Sequence, residues 1–286
     1  MKMRKGNRNI IFIMIFLLII SILAYIQFFD SSNVQDKKKI VAFCGAASKP
    51  VMEEAALEFE EDYGIEVELH FSGSGTMLSQ MKISKTGDLY IPGSHDYMLR
   101  AIRDGVVDPD TVEILAFLVP QIIVQEGNPK NIQSLEDLAK PEIRVGIGDP
   151  ISVCVGEYAV DLLEYNELYE DVKPNIVVHA ESCSKTAALV TAGQVDAVIG
   201  WDVFAKWNPR KTDVVLIKPE RIPKIACIPG AISVYSTDKE SAQKFLNFLY
   251  SEGGQQIFRK YGYLSTIEEA RIYAPLASTP EIVKTD

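Results

Sequence analysis

Apolar and polar positions follow two alternating periods along the chain from residue 39 onward. Residues 65–71 alternate between apolar and polar side chains, which is the pattern of a half-buried strand. Residues 51–59 instead place their apolar side chains on one helix face, and Gly64 ends that helix. Short strand, small-residue turn and helix follow one another repeatedly, so the pattern predicts an α/β fold with mainly parallel strands.

Two apolar stretches interrupted by proline break this order at residues 115–124 and 222–235. We interpret them as two crossovers between two lobes, and a chain of 286 residues is long enough for two domains. The predicted division assigns residues 40–117 and 226–286 to lobe I and residues 118–225 to lobe II. The predicted strands lie at 40–44, 65–71, 88–91, 144–147, 176–178, 195–199 and 214–217.

The N-terminus carries an apolar run at residues 10–26 behind a flank, residues 1–9, with four basic side chains. A basic flank and an apolar run of nearly bilayer length predict an export signal or a membrane anchor. No Ala-x-Ala cleavage site follows the run and it contains no lipobox cysteine, which favours an uncleaved anchor. Residues 27–39 then form a tether, and the rest of the chain lies outside the cytoplasm.

Composition and charge narrow the function classes. The chain is 47% hydrophobic and 24% charged, which is typical of a globular protein. Its net charge is −10, and that of residues 31–286 is −13, because residues 1–30 contain four basic side chains and one acidic side chain. A surface that neutralises phosphates is therefore missing, and we predict no nucleic-acid partner.

Several predicted strands end in Ser-, Gly- or Cys-rich turns that lead into helices. Each such junction points free N–H groups and a positive helix end toward one edge of a sheet, where ligands of open α/β folds bind. Ser48 and Ser74 add hydroxyl donors at two junctions, and Val155, Cys183 and Trp201 lie at three others. A single serine here is most simply a helix cap, so the prediction of an anion site depends on the coincidence of several junctions.

Six motifs mark these junctions and the strands around them. They are FCGAAS at 43–48, FSGSGT at 71–76, GDLYIP at 87–92, VGIGDP at 145–150, AESCS at 180–184 and VDAVIGW at 195–201. In this order they resemble the molybdate-binding proteins of ABC transporters, over roughly residues 40–259. The resemblance implies an α/β periplasmic-binding-protein fold of type II, with two lobes and two interdomain crossovers, closing on a tetrahedral oxyanion such as molybdate or tungstate.

The same resemblance implies the ligand contacts. Ser48 and Ser74 donate hydroxyl and backbone N–H bonds from lobe I, while Val155 and Cys183 donate backbone N–H bonds from lobe II. Trp201 stands where many members have a tyrosine, and its indole N–H donates a hydrogen bond but cannot accept one. It further implies a monomeric extracytoplasmic binding protein that delivers its solute to a membrane permease driven by a cytoplasmic ATPase.

The cysteines leave three alternatives open. Cys44, Cys154 and Cys183 lie on or beside the junctions, whereas Cys227 lies on the return crossover and is interpreted as structural. The three thiols are buried hydrophobes, members of a disulfide, or ligands for a soft solute such as a thiometallate, an arsenic or tellurium species, or a thiophilic metal ion.

The histidines indicate no catalytic or metal centre. His70, His95 and His179 are far apart and fit no metal spacing such as His-Glu-x-x-His, so we predict that each lies on the surface or at a strand end. We therefore predict a binding protein, not an enzyme, with no catalytic residue, metal or cofactor. The alternatives are a thiol-dependent protein that binds a soft ligand or metalloid, and a sensor on the same fold.

Overall fold

The structure, a computed structural model, describes residue 14, residues 18–22 and residues 38–280. The predicted flank at 1–9 lies outside the described residues, as do most of the predicted anchor and tether. Within the described part of the chain, no helix combines the length and the apolar character needed to cross a membrane.

By its contacts the chain divides into residues 1–38 and 39–286, and the second unit is built on two five-stranded sheets. Its strands are β1 Lys39–Gly45, β2 Glu66–Ser72, β3 Leu89–Ile91, β4 Glu113–Leu118, β5 Pro120–Gln125, β6 Val145–Gly148, β7 Ile176–Ala180, β8 Ala197–Trp201, β9 Thr212–Val215 and β10 Ala226–Ile232. The first sheet has the order β2-β1-β3-β10-β4 and the second the order β7-β6-β8-β5-β9. The α/β class predicted from the sequence is thus confirmed.

Helices flank both sheets. They are α1 Lys49–Tyr63, α2 Ser74–Ser84, α3 His95–Arg103, α4 Cys154–Tyr165, α5 Tyr169–Val172, α6 Cys183–Thr191, α7 Val203–Trp207, α8 Lys239–Tyr250, α9 Glu252–Lys260 and α10 Ile267–Tyr273. The largest buried cluster contains Ile40 of β1 and Val198 of β8. The apolar core therefore continues from one sheet to the other.

The prediction of mainly parallel strands is confirmed, because four of the five strands in each sheet run in the same direction. One strand in each sheet, β10 or β5, runs the opposite way, and all of its pairings are antiparallel. The other described pairings, between β1 and β2 or β3 and between β6 and β7 or β8, are parallel. The two predicted crossovers are largely strand: residues 115–118 and 120–124 belong to β4 and β5, and residues 226–232 form β10. Pro229 is tolerated there because the pairing with β4 changes register between Ile228 and Pro229, where a missing N–H costs little.

Two connections join the sheets. Val119 separates β4 from β5, and residues 216–225 lead from β9 back to β10. Residues 39–286 nevertheless form one compact unit, so the boundaries of the predicted lobes remain a prediction.

Asp202 lies against the first of these connections. Its backbone N–H donates to the Val119 carbonyl at 3.1 Å, and the Val119 N–H donates to Asp202 Oδ1 at 3.4 Å. Burial raises the pKa of Asp202 to about 6, and the bond from Val119 offsets only part of that effect. Above that pH Asp202 is charged in the folded protein.

We expect Asp202→Asn to remove a pH-dependent loss of stability. The Asp202 carboxyl loses its proton near its usual pKa of about 3.9 in the unfolded chain and near 6 in the folded protein. The stability that protonated Asp202 contributes to the folded protein is therefore present below about pH 4 and is lost as the pH rises through 6. The advantage of Asp202→Asn in the free energy of unfolding should therefore grow by on the order of 1–3 kcal/mol between about pH 4.5 and pH 8. Urea unfolding of both proteins at the two pH values checks this. The same difference in the free energy of unfolding between variant and wild type at both pH values would contradict it.

Candidate functional site

The first junction follows β1. The chain passes from Gly45 through a 3₁₀ turn, Ala46–Ser48, into α1. Ser48 occupies the N-cap position of α1, yet its side chain makes no cap bond, and its hydroxyl donates to the Gly45 carbonyl at 3.1 Å. Because this side chain is fully buried and does not cap the helix, interpreting Ser48 as an ordinary cap is wrong.

The second junction brings Ser74 to the same place. Ser74 is the first residue of α2, it is 1% exposed, and Gly73 holds the cap position. The Ser74 hydroxyl oxygen accepts from the Gly93 N–H at 3.0 Å, so its own hydrogen remains available to a further partner. A Cβ added to Gly45 would lie 2.6 Å from the Gly93 nitrogen and 2.7 Å from Ser74 Oγ. Only glycine at position 45 permits this approach of the two junctions.

The second sheet contributes two helix starts. Cys154 begins α4 and Cys183 begins α6, both are buried, and their Sγ atoms lie 3.7 Å apart. Val155 is the second residue of α4 and is also buried. The first N–H groups of a helix have no intrahelical acceptor, which makes the Val155 and Cys183 amides available as donors. Their use by a ligand remains a prediction.

A serine of the first sheet and a thiol of the second lie close together at Gly93. A Cβ added to Gly93 would lie 2.7 Å from Cys154 Sγ and 3.7 Å from Ser74 Oγ. Burial, and next the neighbouring Cys183 thiol, raise the pKa of Cys154, so its thiol is neutral. We call Gly45, Ser48, Ser74, Cys154 and Cys183 the junction cluster.

Trp201 lies deeper in the fold than predicted. The predicted strand at 195–199 runs instead to Trp201, because β8 continues to pair with β5 until Trp201 faces Pro120. The indole is fully buried, its ring meets the Tyr158 ring edge-on at 5.0 Å, and its Nε1 has no hydrogen-bond partner. Tyr158 lies one turn after Cys154 on α4, so both face the same side of that helix. A ligand contact by Trp201 remains a prediction.

The other two cysteines lie inside the sheets. Cys44 is in β1 and Cys227 in β10, both are buried, and burial raises the pKa of each thiol above its usual range. All four cysteines are free in the structure. Cys154 and Cys183 are therefore the pair that brings two thiols to the junctions.

Polar contacts close the two sheets on each other around the junction cluster. The Arg100 guanidinium on α3 donates to both carboxylate oxygens of Glu157 on α4, at 2.8 and 2.9 Å. The Gly75 N–H donates to the Ser152 carbonyl at 3.0 Å. Since the junction side chains have almost no exposed surface, a solute can reach them only when these contacts separate.

Sequence reasoning missed two features of the boundary at which the two sheets meet. The prediction for His95 is wrong, because it is 7% exposed and its Nδ1 lies 3.4 Å from the Tyr158 hydroxyl, which donates to Asp96 at 3.0 Å. Burial lowers the pKa of His95. The Tyr263 hydroxyl donates to the Ala47 carbonyl, 216 positions away. The only sequence signal for a buried His95 was its position at a helix start after Gly93. No local pattern indicates the contact of Tyr263.

Two sheets that close on each other around buried hydrogen-bond donors are typical of proteins that enclose a small solute. Comparison with known proteins gives the family. Residues 40–264 match the family described as bacterial extracellular solute-binding protein, and the chain belongs to it. Its fold matches solved periplasmic binding proteins of type II, which confirms the predicted fold.

Several relatives and solved structures resemble the chain. A binding protein of Haemophilus influenzae is 27% identical over 78% of this chain and 89% of its own length. The molybdate-binding protein ModA of Escherichia coli is 25% identical over 80% of this chain and 90% of its own length. The structure of the sulfate-binding protein SubI of Mycobacterium tuberculosis is 18% identical, with a TM-score of 0.72, and covers 85% of this chain and 94% of SubI.

Proposed function

We propose that the chain captures a tetrahedral oxyanion, molybdate or tungstate, at the junction cluster and delivers it to an ABC permease driven by a cytoplasmic ATPase. In this proposal the protein acts as a monomer without catalysis or a cofactor, and residues 10–26 attach it to the outer face of the membrane. The observation that carries the proposal is the meeting of two buried serine hydroxyls, neither used as a helix cap, with two helix N-termini of the other sheet.

The charges around the cluster favour a fully ionised oxyanion. In the described part of the chain, the hydrogen bonds of the Ser48, Ser74 and Cys154 side chains go to neutral groups. The lysine that follows Ser48 points elsewhere, because its Nζ lies 5.7 Å from the Phe71 ring centre and 3.7 Å from Glu53. Because the proposed contacts are mainly donors, the proton of a hydrogen-oxyanion would pair poorly there, and a polar group left unpaired costs about 1–3 kcal/mol. Local dipoles therefore hold the anion against the negative charge of the whole chain.

Relatives of the chain carry both molybdate and sulfate in their names, so the test must separate the oxyanions. Isothermal titration of the full chain with molybdate, tungstate, sulfate and phosphate should give one site per chain, with molybdate or tungstate bound most tightly. Absence of heat and of a thermal shift with all four anions would reject the proposal.

We expect Cys183→Ala to bind molybdate or tungstate with nearly wild-type affinity. The proposed contact of residue 183 is its backbone N–H, which alanine keeps, and alanine is also well accepted at a helix start. Isothermal titration of both proteins checks this, with circular dichroism as the control for folding. A large loss of oxyanion affinity in a folded Cys183→Ala would mean that the sulfur itself is the ligand.

A further inference from the structure

Two thiols meet where the solute site is proposed. Cys154 and Cys183 are the first residues of two helices on the second sheet, and their sulfurs lie 3.7 Å apart. Both side chains are at most 1% exposed. A Cβ added to Gly93, on the first sheet's side, would lie 2.7 Å from the Cys154 sulfur and 3.7 Å from the Ser74 hydroxyl oxygen, so the pair lies on the closing boundary, not within one sheet's core.

The spacing of the two sulfurs suits a shared soft atom. Cysteine sulfur binds a tetrahedral centre such as zinc at about 2.3 Å, which places two sulfurs about 3.8 Å apart. A disulfide requires them to approach to about 2.0 Å. At 3.7 Å the Cys154 and Cys183 sulfurs can therefore hold one thiophilic atom with little movement of either side chain.

The rest of the site decides which atom this is. A tetrahedral metal ion needs four ligands, and the described residues contain no group of three or more His, Cys, Asp and Glu side chains placed to hold a metal. A trivalent metalloid needs only three bonds. Two sulfurs and one retained hydroxyl satisfy it, and a soft centre prefers sulfur to oxygen.

We propose that Cys154 and Cys183 form a dithiol site for a trivalent metalloid hydroxide, the class to which arsenite belongs. Arsenite enters as the neutral acid As(OH)₃. Two As–O bonds break and two As–S bonds form, and the two thiol protons leave with the two hydroxides as water. No electron is transferred, and the product keeps one As–OH group.

Charge and hydrogen bonding favour this product in a buried place. The acid, the thiols and the product are all neutral, so closure buries no uncompensated charge. The Ser74 hydroxyl already accepts from the Gly93 N–H at 3.0 Å, so its own hydrogen can be donated to the retained hydroxyl. The inference relies on the proposed function only for the opening of this boundary to a solute.

The test uses the full chain, reduced with a phosphine and dialysed against sodium arsenite alone. We expect one arsenic per chain, bridging the peptides that contain Cys154 and Cys183 in a digest analysed by mass spectrometry. Cys154→Ala and Cys183→Ala should each lower the affinity for arsenite about 100-fold, because one remaining thiol cannot chelate. The double variant Cys44→Ala/Cys227→Ala also removes two buried thiols and should bind arsenite like wild type.

Arsenic mapped to Cys44 or Cys227, or no arsenic on the wild-type chain, would overturn the proposal. If a variant at 154 or 183 fails to fold, the mapping on wild type decides by itself. Titration of the same samples with tungstate separates the two proposals. Tungstate binding without arsenite binding overturns the dithiol site alone, whereas arsenite at the pair without any oxyanion binding supports the dithiol site and overturns the proposed function.

Discussion

Gly73→Ala is expected to abolish tight oxyanion binding while leaving the protein folded. Gly73 has φ −59° and ψ 145°, which alanine can adopt. A Cβ at this position would lie 2.5 Å from the Ser152 carbonyl oxygen and 3.1 Å from that of Glu181, both on the opposite side of the boundary. These are backbone atoms that a rotamer change cannot remove. The substitution therefore opposes closure and leaves the packing inside each sheet unchanged.

We expect affinity to fall on the order of 100-fold, about 2.7 kcal/mol, in isothermal titration. The melting temperature should fall by no more than about 4 °C, which corresponds to roughly 1 kcal/mol for a chain of this size. Gly253→Ala is the matched control, because Gly253 is exposed on α9 and a Cβ added there would lie 3.8 Å from its nearest neighbour, Ser251 Oγ. Wild-type affinity in Gly73→Ala would show that binding does not require the closed boundary.

Replacing the two serines should have the next largest effect. Ser48→Ala and Ser74→Ala each remove a hydroxyl that the proposal assigns to the oxyanion. Each substitution should lower the binding free energy by about 1–3 kcal/mol, which is a loss of roughly 5- to 150-fold in affinity. Ser74→Ala should be the more severe, since it also leaves the buried Gly93 N–H without its acceptor. Titration with the best-binding oxyanion measures both losses.

Ser79→Ala provides the control for the serine variants. Ser79 lies on the same helix as Ser74 but is exposed, so its loss should leave affinity unchanged. The double variant Ser48→Ala/Ser74→Ala should bind more weakly than either single variant. Unchanged binding in both single variants, with the fold intact, would contradict the assignment of these hydroxyls to the ligand.

Local pattern was sufficient for most of the strands and helices. The alternation at 65–71 predicted β2, which the structure places at Glu66–Ser72, and the helix face at 51–59 predicted the buried side of α1. The reversed direction of β10 was not accessible in the same way, because β10 pairs with β3 and β4, which lie more than 100 positions earlier. No local period carries that information.

In the site, too, local pattern predicted positions along the chain but not contacts between distant residues. Sequence placed Ser48 and Ser74 at junctions, but it could not show that neither caps its helix, because that depends on Gly45 and Gly93 meeting in space. The contact between the Cys154 and Cys183 sulfurs joins positions 29 residues apart, and their separation follows only from the packing of two helices on one sheet.

The most direct test of neutral-donor binding is anomalous diffraction from a crystal grown with tungstate. The proposal predicts a tungsten peak whose oxygens lie within about 3 Å of the Ser48 and Ser74 hydroxyls and the Val155 and Cys183 N–H groups. No lysine or arginine side chain should touch the anion. A peak held by a basic side chain, or one that neither serine reaches, would contradict it.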